Sequence, residues 1–210
     1  MKMPRSSEAG FTLIEMLITF FILSLITTVF MQAAFSGTRG SDTARSVARV
    51  TQEARLGLNR MVRDTREATL IEDADATGYT VKIDFDSNGV YNNPNSVGDY
   101  EVLTYEYVSA DDQITLNGEL LVNGAQEVAG KDMFTYASNF LTYDWNADGV
   151  TTATELDAAP THGITGVGNN NGVLDYPELS YVSDVVFNFT VLLDGHSERF
   201  YGGAQLRNRR

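Results

Sequence analysis

From Asp144 the chain reads DWNADGVTTATE. Asp144, Asn146, Asp148, Thr152 and Glu155 fall at the first, third, fifth, ninth and twelfth places of that stretch, with Gly149 at the sixth. This is the D-x-[DN]-x-[DN]-G-x5-E spacing of a calcium loop. Calcium takes roughly six to eight hard oxygens in a flexible shell. Asp144, Asn146 and Asp148 would supply side-chain oxygens, Val150 a backbone carbonyl, and Thr152 an oxygen directly or through water. Glu155 would close the shell with both carboxylate oxygens, and Gly149 permits the sharp turn between the two halves. Asn139 to Tyr143, just before it, looks strand-like, so the spacing predicts a loop and not a helix-flanked EF-hand. A plain acidic surface loop is the alternative reading of the same residues.

A second stretch repeats the spacing with Asn169, Asn171, Gly172, Val173, Asp175 and Glu178, but Val167 stands where the leading aspartate belongs. It reads equally as a weak ion site, a partner of the first loop, or an Asn-rich turn. A third pattern starts at Asp84, Asp86, Asn88 and Gly89. Asn95 occupies its closing place and cannot chelate as a carboxylate, so a turn between two strands is the better account.

Other chemistry is hard to find. With no cysteines among 210 residues, disulfides, thiol catalysis and cysteine metal sites are excluded. A staple for the fold must come from elsewhere, and a metal ion is the obvious substitute. His162 and His196, the only histidines, lie outside any H-E-x-x-H or nucleophile-elbow context. Asn188-Phe189-Thr190 is a glycosylation sequon, discounted because it falls within a strand pattern. No catalytic residues are nominated, and the chain is not expected to be an enzyme. Its net charge of −13 is uneven: 36–70 holds seven Arg against four acids, whereas 71–198 holds twenty-two acids against Lys82 and Lys131. Such a body repels phosphate backbones, which argues against nucleic-acid binding, and attracts divalent cations.

One further carboxylate sits in an unusual place. Phe11 to Phe35 reads FTLIEMLITFFILSLITTVFMQAAF, long enough as a helix to span about 37 Å and cross a bilayer. Glu15 lies inside this run, where a carboxylate costs roughly 2.5–3.5 kcal/mol unless it finds a partner. The preceding MKMPRSSEAG is short and polar, and Lys2 and Arg5 keep that end cytoplasmic. A secretory signal peptide or plain anchor is the ordinary reading. No small-residue cleavage site directly follows the apolar run, and Glu15 fits neither alternative.

Gly10-Phe11-Thr12-Leu13-Ile14-Glu15 resembles the type IV prepilin signature, a glycine before an aromatic residue with a glutamate five residues into the mature chain. The resemblance implies cleavage between Gly10 and Phe11 by a prepilin peptidase, methylation of the Phe11 amine, and retention of the apolar segment. It also gives Glu15 a partner, the N-terminal amine of a neighbouring subunit, and a buried carboxylate does need a counter-charge. Implied partners are other pilin or pseudopilin subunits, the peptidase and the inner-membrane assembly platform. The implied location is a single pass through the bacterial inner membrane with the head in the periplasm, then a periplasmic pseudopilus or surface pilus.

The elements that would carry these sites follow from periodicity. Val47, Val50, Ala54, Leu58 and Met61 make one face of an amphipathic helix, with Arg45, Arg49, Arg60 and Arg63 largely off it. The arginines read as a solvated face or as contacts to acidic neighbouring heads. From Ile71 the period becomes two: Tyr79–Phe85, Leu103–Tyr107 and Val185–Leu193 alternate as half-buried strands. Asn117-Gly118 and Asp194-Gly195 have the chemistry of tight hairpins. The expected fold is α+β, a long helix packed on a mainly antiparallel β-sheet head. Its expected divisions are a leader (1–10), a transmembrane helix (11–35), an amphipathic helix (36–70) and a β-rich head with a calcium loop (71–210). This layout, ending in Gln205-Leu206-Arg207-Asn208, resembles J-type minor pseudopilins of type II secretion and W-type minor type IV pilins. A structural filament subunit is the leading expectation. The alternative is a membrane-anchored, calcium-dependent surface adhesin or enzyme using a pilin-like sorting signal.

Overall fold

The computed structural model describes residues 12–85, 87–91, 101–193 and 195–207. The chain divides into two compact units, Met1–Ser46 and Val47–Arg210. The long helix α1 runs Leu13–Glu67, so its residues belong to both.

In the first unit, Leu13–Ser36 is a helical stretch of 24 residues, long and apolar enough to cross a membrane. Its large side chains, among them Phe20, Phe21, Leu25 and Phe30, are exposed. The hydroxyls in this stretch find acceptors on the helix itself. Thr19 donates to the Glu15 carbonyl at 2.7 Å, and Thr27 and Thr28 donate to those of Leu23 and Ser24 at 2.8 Å. An unpaired hydroxyl in hydrocarbon is costly, and i−4 back-bonding removes that cost without a partner helix.

The second unit is built on the stripe of α1 that begins at Val47. Val50, Ala54 and Met61 are buried and Leu58 is half-buried against the core. Strands β1 (Leu70–Ala74), β2 (Gly78–Lys82), β3 (Val102–Val108), β4 (Gln113–Leu116) and β5 (Glu119–Asn123) form one antiparallel sheet in that order. Asn117 and Gly118 both have positive φ, 51° and 82°, as a two-residue hairpin of the expected kind requires. A second antiparallel sheet orders β10 (His196–Gln205), β9 (Asp184–Leu193), β7 (Phe134–Ser138) and β8 (Thr151–Thr152). Strand β6 (Ala125–Glu127) pairs with β9. The class is α+β as expected, although the head contains two sheets. Their inner faces meet through aromatic rings: Tyr79 stacks on Tyr105 at 5.0 Å and tilts against Phe134 at 5.3 Å and Phe187 at 5.9 Å.

Two strand readings are corrected. β2 stops at Lys82, short of Phe85, whose side chain is exposed. Asn139 to Tyr143 is not a strand: β7 ends at Ser138, and the Asn139 N–H donates to the Ser183 hydroxyl (2.8 Å) in place of a ladder partner. The chain is released there to begin the acidic loops.

Helix α1 is tied to the first sheet by a buried carboxylate. Asp64 is 3% exposed. Tyr105 donates to its Oδ2 at 2.7 Å, Arg63 approaches Oδ1 at 2.9 Å, and Arg60 approaches Oδ2 at 3.5 Å. Next to it the Thr65 and Tyr79 hydroxyls share a hydrogen bond of 3.1 Å. Burial pushes both tyrosine phenols far above their ordinary range, so both stay neutral donors. Two of the arginines read from sequence as a solvated face therefore work inside the chain, and Arg55 likewise reaches Glu198 of β10 at 2.9 Å. Tyr105→Phe keeps the ring stack and deletes one donor to a buried charge, which should cost about 1.5–3 kcal/mol. Denaturant unfolding of the detergent-solubilised chain reads this directly, and an unchanged midpoint would remove Asp64 as the tie.

Candidate functional site

Gly10 and Phe11 lie outside the described residues. Glu15 is described, exposed, in the first turn of α1. Its N–H is held by Thr12, through the carbonyl at 3.1 Å and the hydroxyl at 3.3 Å. Thr12-Leu13-Ile14-Glu15 thus starts the helix as a Thr N-cap with Glu at the third position. A carboxylate there also faces the positive end of the helix dipole.

The first acidic loop closes on itself as its spacing demands. Asp144 accepts the Asp148 N–H (3.0 Å) and the Gly149 N–H (2.8 Å). Asn146 accepts the Asp148 N–H at 2.8 Å, and Asp148 accepts the Val150 N–H at 2.9 Å. Glu155 turns back across the loop: Oε1 takes the Trp145 N–H (2.9 Å), while Oε2 takes the N–H (2.8 Å) and hydroxyl (2.9 Å) of Thr152. Thr152 and Glu155 are also the reciprocal capping box of α2 (Ala153–Asp157), so the residue that closes the loop starts a helix. Tyr143, Trp145 and His162 stack face to face at 5.6 and 3.9 Å, and the Trp145 indole donates to the Glu155 carbonyl at 3.0 Å. His162, a plain loop residue by sequence, is one leaf of this stack.

The second loop takes the same form amide by amide. Glu178 Oε1 accepts the Asn169 N–H at 2.8 Å, as Glu155 Oε1 accepts the Asn146 N–H at 3.3 Å. Asn169 accepts the Asn171 N–H at 3.0 Å, and Asn171 accepts the Val173 N–H at 2.8 Å. Asn170 and Gly172 have φ of 56° and 79°, matching 61° at Ala147 and 88° at Gly149. Asp175 is held by the side-chain amides of Asn169 and Asn171, both at 2.8 Å. Burial, and next the Asp175 carboxyl, raise the pKa of Glu178 above the usual carboxylate range, against the pull of two backbone N–H groups.

What the sequence pattern misses is the leading acid. Val167 occupies that place but is buried with Leu156 and Ala159. Its role as acceptor falls to Asp157, the last residue of α2: Oδ1 takes the Asn171 N–H at 3.2 Å and Oδ2 the Gly172 N–H at 2.9 Å. Spacing could not reveal this, because Asp157 comes from outside the loop. The available signal was Gly168. A Cβ there would overlap the Leu156 carbonyl oxygen and lie 2.6 Å from that of Asp157. Only glycine lets the loop lie this close to α2.

The third pattern behaves as a turn whose described part has related contacts. Asp84 accepts the Gly89 N–H at 3.2 Å and Asn88 the Val90 N–H at 2.6 Å. Glu101, fully buried, accepts the Phe85 N–H at 3.1 Å. Asp86 and Asn95 lie outside the described residues.

Among the described residues no group of three His, Cys, Asp or Glu side chains is gathered closely enough to hold a metal ion on its own. Both loops instead mix carboxylates, carboxamides and a backbone carbonyl, the hard-oxygen set that suits calcium. The Asp144 and Asp148 carboxylate oxygens each accept one donor and keep a further acceptor position that fits an ion. Each Glu155 oxygen already accepts two donors and would exchange one for the ion.

The model of the prokaryotic N-terminal methylation motif matches residues 5–31. The chain therefore carries the prepilin-type signature, on the helix whose apolar stretch is long enough to cross a membrane. That signature supports a type IV pilin-like protein, processed by prepilin peptidase and assembled with other pilin subunits. Comparison with curated proteins and with solved structures gives no match.

Gly168→Ala should push the second loop off α2. Overpacking of this kind typically costs about 1–3 kcal/mol, and here the obstacle is backbone that cannot rotate away. A melting temperature at or above that of the unaltered chain would show that the close approach is not rigid.

Proposed function

We propose that the chain is a structural minor subunit of a type II secretion pseudopilus or a type IV pilus. Its N-terminal helix enters the filament after cleavage at Gly10 and methylation of Phe11, and its head faces the periplasm. The carrying observation is the methylation motif over residues 5–31, with Glu15 in the first turn of an exposed apolar helix. No described residue donates to the Glu15 carboxylate, so a partner from outside the chain is the natural source of its counter-charge. A structural role also fits the histidines: among the described residues His162 is part of a ring stack and neither side chain is bonded to an acid.

Intact mass of the membrane-extracted protein should correspond to a chain starting at methylated Phe11. A start beyond Phe35, or an uncut Met1, refutes the processing. Glu15→Ala should insert normally or better, because the intramembrane charge costs roughly 2.5–3.5 kcal/mol, yet fail to assemble. A filament of ordinary length from Glu15→Ala would dispose of the pairing.

The head, in this reading, holds calcium through Asp144, Asn146, Asp148, the Val150 carbonyl, Thr152 and Glu155. The ion cross-links a loop in a domain without cysteines. Extracellular calcium modules bind with dissociation constants on the order of 10⁻⁴–10⁻³ M, and saturation a hundredfold above that would add about 2.7 kcal/mol. Trp145, the only tryptophan, lies within the loop, so terbium bound there should luminesce when tryptophan is excited at the red edge of its absorption. Calcium should compete the signal away, and Asp144→Ala or Glu155→Gln should abolish it. A signal that survives both substitutions moves the ion elsewhere.

A further inference from the structure

Among the described residues, Glu178 is the one fully buried carboxylate with an oxygen that has no hydrogen-bond partner. The residue is 0% exposed; Oε1 accepts the Asn169 N–H at 2.8 Å, while Oε2 has no hydrogen-bond partner. A buried carboxylate oxygen without a donor is costly. The neighbouring acid, Asp175, is itself an acceptor bound by two carboxamides. A metal ion is the group that satisfies several such oxygens at once.

We propose that the second loop is a complete cation site of calcium type, whose missing first ligand is supplied in space by Asp157. The site consists of the carboxylates of Asp157, Asp175 and Glu178, the carboxamide oxygens of Asn169 and Asn171, and the Val173 carbonyl. Three carboxylates and three neutral oxygens match the number and kind of donors in the first loop, and they reach the lower bound of what calcium takes. The loop amides of Asn169, Asn171 and Gly172 bond to the same kinds of acceptor as their counterparts in Asp144–Glu155, with Asp157 standing for Asp144, while the Val173 N–H goes to the Asn171 carboxamide where that of Val150 goes to the Asp148 carboxylate. Asp157 is 6% exposed and cannot swing out to solvent without leaving these bonds. Gly168 makes the substitution sterically possible by letting the loop settle on the backbone of Leu156 and Asp157.

Helix α2 therefore serves both loops. Glu155 and Asp157 are two residues apart, about 200° around a helix, so one side chain closes the first loop and the other opens the second. This site deepens the calcium reading of the first loop but does not depend on it, since the two fail separately.

The test is calorimetric titration of calcium chloride into the detergent-solubilised full chain, beside Asp157→Asn, Glu178→Gln and Asp175→Asn. Each substitution should remove the same single binding event relative to wild type while leaving the Trp145-sensitised terbium signal in place. Glu178→Gln should also melt no lower than wild type in chelator, because it relieves two apposed acids, yet lose part of its calcium-dependent rise. Should Asp157→Asn fail to melt cooperatively in chelator, Asp175→Asn, at a half-buried position, reports on the same ion. An ion count unchanged by Glu178→Gln and Asp175→Asn overturns the second site. If the terbium signal of the first loop persists at the same time, only the second site has failed; no binding of either metal to wild type overturns both.

Discussion

A head with twenty-two acids against two lysines over residues 71–198 has to place its carboxylates against something. Side-chain cations are too few, and in the second unit backbone N–H groups receive several of the carboxylates. Asp75 accepts the N–H groups of Thr77 and Gly78 at 2.6 and 2.7 Å and thereby makes the β1–β2 turn. Asp84, Asp144 and Asp157 each take the N–H of a positive-φ glycine: Gly89, Gly149 and Gly172. These carboxylates are thereby concentrated in tight turns. Those turns are where irregular structure interrupts the sheets, between β2 and β3 and between β7 and β9.

The same constraint explains the shape of the region between Ser138 and Asp184. Helix α2 has five residues, too few to be stable alone. It is held at its start by the Thr152–Glu155 capping box and at its end by the bonds from Asn171 and Gly172 to Asp157. It buries Leu156 with Ala159 and Val167 in a small apolar cluster separate from the main core. With so little apolar surface, this subdomain depends on its polar contacts to a degree the sheets do not. The sheets have Tyr79, Tyr105, Phe134 and Phe187 between them, and the α1 stripe above.

The sequence made the strongly periodic elements legible. The Val47–Met61 stripe, the alternations in β3 and β9 and the Asn117-Gly118 hairpin are local patterns, and local sterics and burial enforce them. The first acidic loop was legible for the same reason: all its donors lie within twelve residues. What stayed hidden is what the chain brings together from a distance. Asp157 enters the second loop from α2, Glu101 bonds back to Phe85, and Arg60 and Arg63 turn to Asp64 and Tyr105. None of these has a fixed spacing, so no motif could contain them. The strand end at Lys82 and the irregular run from Asn139 to Tyr143 were misjudged because alternation persists past the point where pairing partners run out.

Glu15 is the exception that gives the chain its direction. In the head the acidic-loop carboxylates are set on amides of their own chain, and among the described residues Asp84 Oδ1 and Glu178 Oε2 are the buried carboxylate oxygens left over. In the first unit such free amides occur only at the start of α1. A helix consumes its own N–H groups after the first turn, and the residues surrounding Glu15 in that turn, Leu13, Ile14, Met16 and Leu17, are apolar and exposed. Serine and threonine in this stretch have already given their hydroxyls to backbone carbonyls. The helix dipole offsets part of this charge, and no described side chain donates to it, so in the proposed reading its counter-charge comes from outside the helix. In a low-dielectric surrounding, a cation of opposite sign is the partner that offsets the cost of keeping it ionised. An amine created by cleavage beside Phe11 would be such a cation, and it cannot exist until the leader is gone. In the proposed pairing, an unmet charge at this point would make processing a precondition for assembly.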